Sequence, residues 1–186
     1  MLEVEMKFPV VDFSTFRDRL ASAGVQDPAA HHEEDHYFNA PDRDFARTDE
    51  ALRLRRIGAA NRVTYKGPKQ DAQTKTRTEI EVPIADGDQA ANDFIDLLTH
   101  LGYRPVAVVR KKRHTYRLEV DGFPLEVCLD EVEELGRFAE LEILAPPERL
   151  EAARAVLLKT AARFGLAASE RRSYLELLLA SREKRS

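Results

Sequence analysis

Charged residues recur at every second position in segment after segment of this chain. Glu3, Glu5 and Lys7 alternate with Leu2, Val4, Met6 and Phe8. Arg53 and Arg55 alternate with Leu52 and Leu54, and Arg62, Thr64 and Lys66 with Val63 and Tyr65. Arg77, Glu79 and Glu81 alternate with Ile80 and Val82. Lys111, Arg113, Thr115 and Arg117 share a parity. So do Glu126, Cys128 and Asp130, and so do Glu140 and Glu142. Arginine forks across two phosphate oxygens and lysine acts as a point charge. Carboxylates suit hard divalent cations such as Mg²⁺. A surface carrying both suits a metal-bound polyphosphate, where cations neutralise charge developing on a transferring phosphate.

Period-2 alternation predicts strands, since successive side chains point to opposite faces. Strands are expected over 2–8, 35–39, 51–57, 62–67, 76–84, 106–120, 123–132 and 138–144, with residues 26–34 as a loop. Asp121-Gly122 between two alternating runs marks a tight hairpin. Helices are expected from Asp12 to a stop at Gly24, from Asp88 to Gly102, from Pro146-Pro147 to Gly165, and over 169–182. Hairpins dominate and no strand-helix-strand alternation is sustained, which gives an α+β fold with a large antiparallel sheet. Eight strands is about the number at which a sheet closes around a small ligand. Any one segment also fits an ordinary sheet with its charged face in water. Solvated faces, however, usually mix in uncharged polar residues, and the amphipathic helices need an apolar surface to cover. With helices outside, the charges line the inside, where charge is costly unless paired, metal-bound or wet.

Charged residues make up 33% of the 186 and the formal net charge is -4, a balance that disfavours nucleic acid as partner. The lone Cys128 cannot form an intramolecular disulfide, and no apolar run approaches membrane-spanning length. A soluble, cytoplasmic protein of one domain, 1–186, is expected.

The order of these residues resembles a known family. Glu3-Val4-Glu5-Met6-Lys7 opens the series. Asp35-His36-Tyr37-Phe38, Leu52-Arg53-Leu54-Arg55 and Thr64-Tyr65-Lys66-Gly67-Pro68 follow. Arg77, Glu79 and Glu81 come next, then Lys111 and Arg113, Asp130, and Leu135-Gly136 with Phe138, Glu140 and Glu142. This series, from Glu3 to about Tyr174, resembles the CYTH superfamily of triphosphate tunnel metalloenzymes, which includes class IV adenylyl cyclases and thiamine and inorganic triphosphatases. The resemblance implies an eight-stranded antiparallel closed β-barrel, a tunnel with a charged lumen, flanked by helices. It implies Mg²⁺ or Mn²⁺ on Glu3, Glu5, Glu140 and Glu142. It implies phosphate oxygens on Lys7, Arg53, Arg55, Lys66, Lys111 and Arg113, with Lys7, Lys66 and Arg113 nearest the chemistry. Asp130 orients a basic residue or helps a metal; Glu79, Glu81 and Glu126 either support the site or pair with a neighbouring strand's Arg or Lys. The partner it implies is a nucleoside triphosphate or another small triphosphate, and a homodimer stays open.

Two features bear on the reaction. The triphosphatase branch often has Arg directly before the motif's Lys; Met6 stands there, as in the cyclase-like branch. Against a cyclase, only Met1 and Leu2 precede Glu3, where characterised class IV cyclases tend to carry His-Phe. A non-catalytic polyphosphate- or nucleotide-binding module is the reading from another class. The run Arg110 to His114 splits between strand faces, which puts Lys111 and Arg113 inward. The stripe at Tyr174, Leu177 and Leu178 is expected to pack on the barrel or on another subunit.

Overall fold

A computed structural model describes residues 2–22, 25, 28–70 and 76–185. Its strands are β1 (Leu2–Pro9), β2 (His31–Asn39), β3 (Ala51–Ile57), β4 (Ala60–Lys66), β5 (Glu79–Ile84), β6 (Arg104–Val120), β7 (Phe123–Val132) and β8 (Gly136–Ala145). Its α-helices are α1 (Ser14–Ser22), α2 (Phe45–Thr48), α3 (Asp88–His100), α4 (Leu150–Arg163) and α5 (Tyr174–Glu183). The strands form one antiparallel sheet in the order β1-β8-β7-β6-β2-β3-β4-β5.

Turn chemistry fixes the register as the sequence predicts. Asp121 and Gly122 both take positive φ, 50° and 75°, as a two-residue hairpin matched to strand twist requires. Pro83 sits on β5 at the sheet edge, where a missing N–H is tolerated.

The sheet curls, and its two faces are chemically distinct. On the convex face, Val4, Met6 and Phe8 of β1 join Leu125, Val127, Leu141 and Ile143 under α1 and α4, in a buried cluster with Phe16, Leu20, Val156 and Leu157. Phe38 and Leu54 meet Ala91 and Leu98 of α3. The concave face carries the charges. Helix α5 lies on that concave side: Tyr174 and Leu178 pack with Tyr37, Val109, Val132 and Phe138. These four share strand parity with Asp35, Lys111, Asp130 and Glu140 respectively. The C-terminal helix therefore packs on the barrel as expected, from within its hollow.

Other expectations are corrected. A closed barrel would need a ladder between the edge strands β1 and β5. Among the described residues one backbone bridge, Glu3 of β1 with Arg77 just before β5, spans the gap, so the sheet is curled with a narrow seam. Strand β2 begins at His31, inside the segment expected as loop, because the alternation of Glu33, Asp35 and Tyr37 runs on unbroken. The single-turn α2 escaped notice, being too short for a helical period; Asp44 caps it by accepting from the Ala46 N–H. The last helix starts at Tyr174, behind a Ser173–Glu176 capping box, and not at 169. The Gly24 stop lies outside the described residues.

Candidate functional site

Each strand delivers its charges to one cavity of about 720 Å³. Glu3, Glu5, Lys7, Arg53, Arg55, Lys66, Lys111, Arg113, Glu140 and Glu142 all line it, as do Glu79, Glu81 and Glu126 at its margins. Register explains the grouping. Glu5 stands opposite Glu142 and Lys7 opposite Glu140 across β1 and β8. Arg113 stands opposite Asp130 across β6 and β7, and Glu33 opposite Lys111 across β2 and β6. A second cavity of about 940 Å³ shares Glu33 and Lys111 with the first.

The cations are held by carboxylates that sequence reasoning gave no role. Asp35 accepts from Arg55 Nε and Nη2, each at 2.7 Å, and from Arg53 Nη1 at 3.3 Å. Burial opposes its ionisation, but Arg55, Arg53 and Lys111 outweigh that and hold the carboxyl well below the usual range. Glu33 forms ion pairs with Lys111 Nζ and Arg55 Nη2, both at 3.0 Å, and its carboxyl is likewise lowered against burial by Lys111, Arg113 and Arg55. Asp35 stood in the family motif without an assignment. Glu33 was hidden by the loop reading, although its parity with Asp35 was visible.

Asp130 pairs with a basic residue of the cavity. It is fully buried and takes a bidentate pair from Arg113, Nε at 2.6 Å and Nη2 at 2.5 Å. Tyr174 donates its hydroxyl to the same carboxylate at 2.8 Å. The same Arg113 Nη2 also donates to Glu140 Oε2 at 2.5 Å. Lys7, 1% exposed, has its Nζ 4.0 Å from the centroid of the Tyr174 ring. Tyr174, expected only to pack, thus touches one candidate phosphate ligand and orients another through Asp130.

Lys66 lies between two acids. Its Nζ is 2.5 Å from Glu79 and 3.2 Å from Glu3. Glu79 stays ionised against its burial, lowered to about 2 by its hydrogen bond with Glu3 and by Lys66 and Arg53. Glu3, more deeply enclosed, is pushed well above the usual range by burial, which Lys66 only partly offsets. Burial raises Glu142 to about 7, with Glu5 adding to the rise and Lys66 opposing it. Glu81 pairs with Arg62 at 2.9 Å and Glu126 with Arg117 at 2.9 Å, both at the exposed rim. Burial lifts the Cys128 thiol to about 12, which leaves it a poor nucleophile. Arg110 and Lys112 face outward, splitting the basic run as expected.

The metal expectation needs one qualification of geometry. Among the described residues, no three carboxylates, histidines or cysteines converge as a cage for a metal ion. Glu140 is engaged with Arg113, and Glu3, Glu5 and Glu142 line the cavity without forming such a group. The donor chemistry still fits a hard cation. Mg²⁺ commonly takes one or two carboxylates and completes its shell with water and substrate phosphate. Glu3 and Glu142, both pushed up by burial with too little positive charge beside them, are carboxylates that a cation would relieve.

Comparison with known proteins accords with this geometry. The CYTH domain matches residues 1–174. The chain belongs to the CYTH family. The adenylate cyclase CyaB of Aeromonas hydrophila is 33% identical, over 94% of this chain and 87% of its own. The PH1819 protein of Pyrococcus horikoshii is 39% identical, covers 96% of this chain and 98% of its own, and superposes with a TM-score of 0.83. HpAC1 of Hippeastrum, a structure described as revealing a dominant triphosphatase activity, shares the fold at 17% identity, with coverage of 98% and 95% and a TM-score of 0.65. Among the described residues, no helix of this CYTH protein is long and apolar enough to cross a membrane.

Proposed function

We propose that this CYTH protein binds a triphosphate with a divalent cation in the charged cavity and turns it over. The reaction we put first is conversion of ATP to cyclic AMP and pyrophosphate. The observation carrying the proposal is the convergence of Arg53, Arg55, Lys66, Lys111 and Arg113 with Lys7 on one cavity, beside Glu3, Glu5 and Glu142. A hollow so charged, within a curled sheet, would surround the phosphate chain.

The protein's part is positioning. Asp35, Glu33 and Asp130 fix the guanidinium and ammonium groups before any ligand arrives, so little reorganisation accompanies binding. Arg55 and Arg113 have their Nε–Nη2 forks on Asp35 and Asp130, which leaves Nη1 of each for phosphate oxygens, and Lys66 and Lys111 act as point charges. Glu3, Glu5 and Glu142 would hold Mg²⁺ or Mn²⁺, with Glu140 nearby on Arg113; the cation supplies charge neutralisation at the phosphate oxygens. In cyclisation the ribose 3′-oxygen bonds to the α-phosphorus and gives up its proton, and the bond to the β-phosphate oxygen breaks. In hydrolysis a water oxygen takes the terminal phosphorus and the remaining diphosphate leaves. Both need the same cations, so depth and register of the chain in the cavity decide between them. The CyaB likeness, at 33% identity over 94% of the chain, supports cyclisation.

Incubation with ATP and Mg²⁺ or Mn²⁺, followed by separation of products, tests this. Cyclic AMP with pyrophosphate is expected. ADP with phosphate would make the protein a triphosphatase. If ATP, thiamine triphosphate and tripolyphosphate all remain intact, the enzyme reading fails and a binding module is left.

A further inference from the structure

Arg77 differs from the other cations of the cavity. Lys66, Lys111, Arg53, Arg55 and Arg113 each meet at least one carboxylate within ion-pair distance. Arg77 also lines the cavity and is only 5% exposed, yet its Nε is buried without a hydrogen-bond partner. Among the described residues its guanidinium has no ion-pair partner, and Asp49, which feels its charge, is bonded to Lys69 at 2.5 Å. A buried cation without a partner is costly and is retained where something else supplies the anion.

Its place in the fold sharpens the point. The Arg77 N–H donates to the Glu3 carbonyl, and among the described residues this is the one bridge between β1 and the segment that leads into β5. The residue sits where the curled sheet is least joined, beside Glu3 and with Lys66 on the same wall.

We infer that Arg77 is a further anion-binding residue, whose missing partner is a phosphate group of the substrate, and that the bound phosphate ties β5 to β1 across the seam. This rests on the cavity being a triphosphate site. An anion reaching Arg77 on one side and Lys7 on the other links two edges that the backbone joins at a single point.

The test is calorimetric titration of inorganic tripolyphosphate, without divalent metal and at fixed ionic strength. Wild type, Arg77→Gln, Arg77→Lys and a charge-matched control are compared. The control is Arg154→Gln, on the convex-side helix α4. Melting temperatures are taken without the anion. Arg77→Gln should bind about tenfold more weakly or worse, the loss expected for a charged hydrogen-bonding partner. Arg77→Lys, which keeps the charge and loses the fork, should fall between it and wild type, and Arg154→Gln should match wild type. Without anion, Arg77→Gln should melt at the same temperature as wild type or higher, because an unpaired buried charge has been removed. Equal affinity of Arg77→Gln and wild type overturns the inference and leaves the triphosphate reading intact. A lowered melting temperature, or failure to fold, assigns Arg77 a structural role and overturns it as well. Failure of wild type to bind tripolyphosphate overturns the reading of the cavity, and the inference with it.

Discussion

At the scale of single residues, each charge is tuned by the groups beside it, and two residues invite substitution. Tyr174→Phe keeps the ring beside Lys7 but deletes the hydroxyl that Asp130 accepts. A net loss of about 1 kcal/mol in stability is expected by chemical denaturation, with a weaker hold on triphosphate because Arg113 is less firmly oriented. Unchanged stability would show that the hydroxyl is not buried against Asp130 as drawn. Glu142 gives a pH dependence whose sign can be worked out. Folded, it keeps its proton to about pH 7; unfolded, it loses it near 4.5. Between those values the folded state binds more protons, so this group's contribution to stability falls as pH rises and levels off above the window. A cation needs the ionised form, so Mg²⁺ should raise the melting temperature more at about pH 8 than at about pH 6. In Glu142→Gln that difference should shrink. An equal Mg²⁺ shift at both pH values in wild type contradicts the assignment.

At the scale of elements, helices on the two faces should differ in what they control. Leu157 of α4 is fully buried under the convex face, and Leu178 of α5 is buried on the concave side. Either substitution to Ala should cost about 2–5 kcal/mol of stability. Only Leu178→Ala should also weaken triphosphate binding by the folded protein, because α5 carries Tyr174 against Lys7 and Asp130. Much of this layout was legible in the residues. Period-2 alternation located all eight strands, and Asp121-Gly122 and Gly102 located turns, because those signals are local. The face on which α5 lies was not legible. An amphipathic stripe at Tyr174 and Leu178 reads the same whether the helix covers the outside of a sheet or enters it. The roles of Glu33 and Asp35 were hidden for a similar reason. An acid on a strand shows its parity, but not which cation of a neighbouring strand will claim it.

At the scale of the whole molecule, a net charge of -4 conceals a concave face on which both signs are concentrated and mostly paired. A matched interior is weak evidence for stability, since charge burial costs about as much as pairing returns. It is better understood as a prepared surface for a ligand that carries its own charge and cation. The near-closed sheet, with one bridge at its seam and α5 in its hollow, gives that surface depth. The most direct measurement of the central claim is the affinity of wild type and Arg55→Ala for a triphosphate, by calorimetric titration with Mg²⁺ at fixed ionic strength. Wild type should bind one triphosphate per chain, and Arg55→Ala should lose about 1.5–3 kcal/mol of that binding. Absence of binding by wild type, or equal binding by both proteins, would contradict the account.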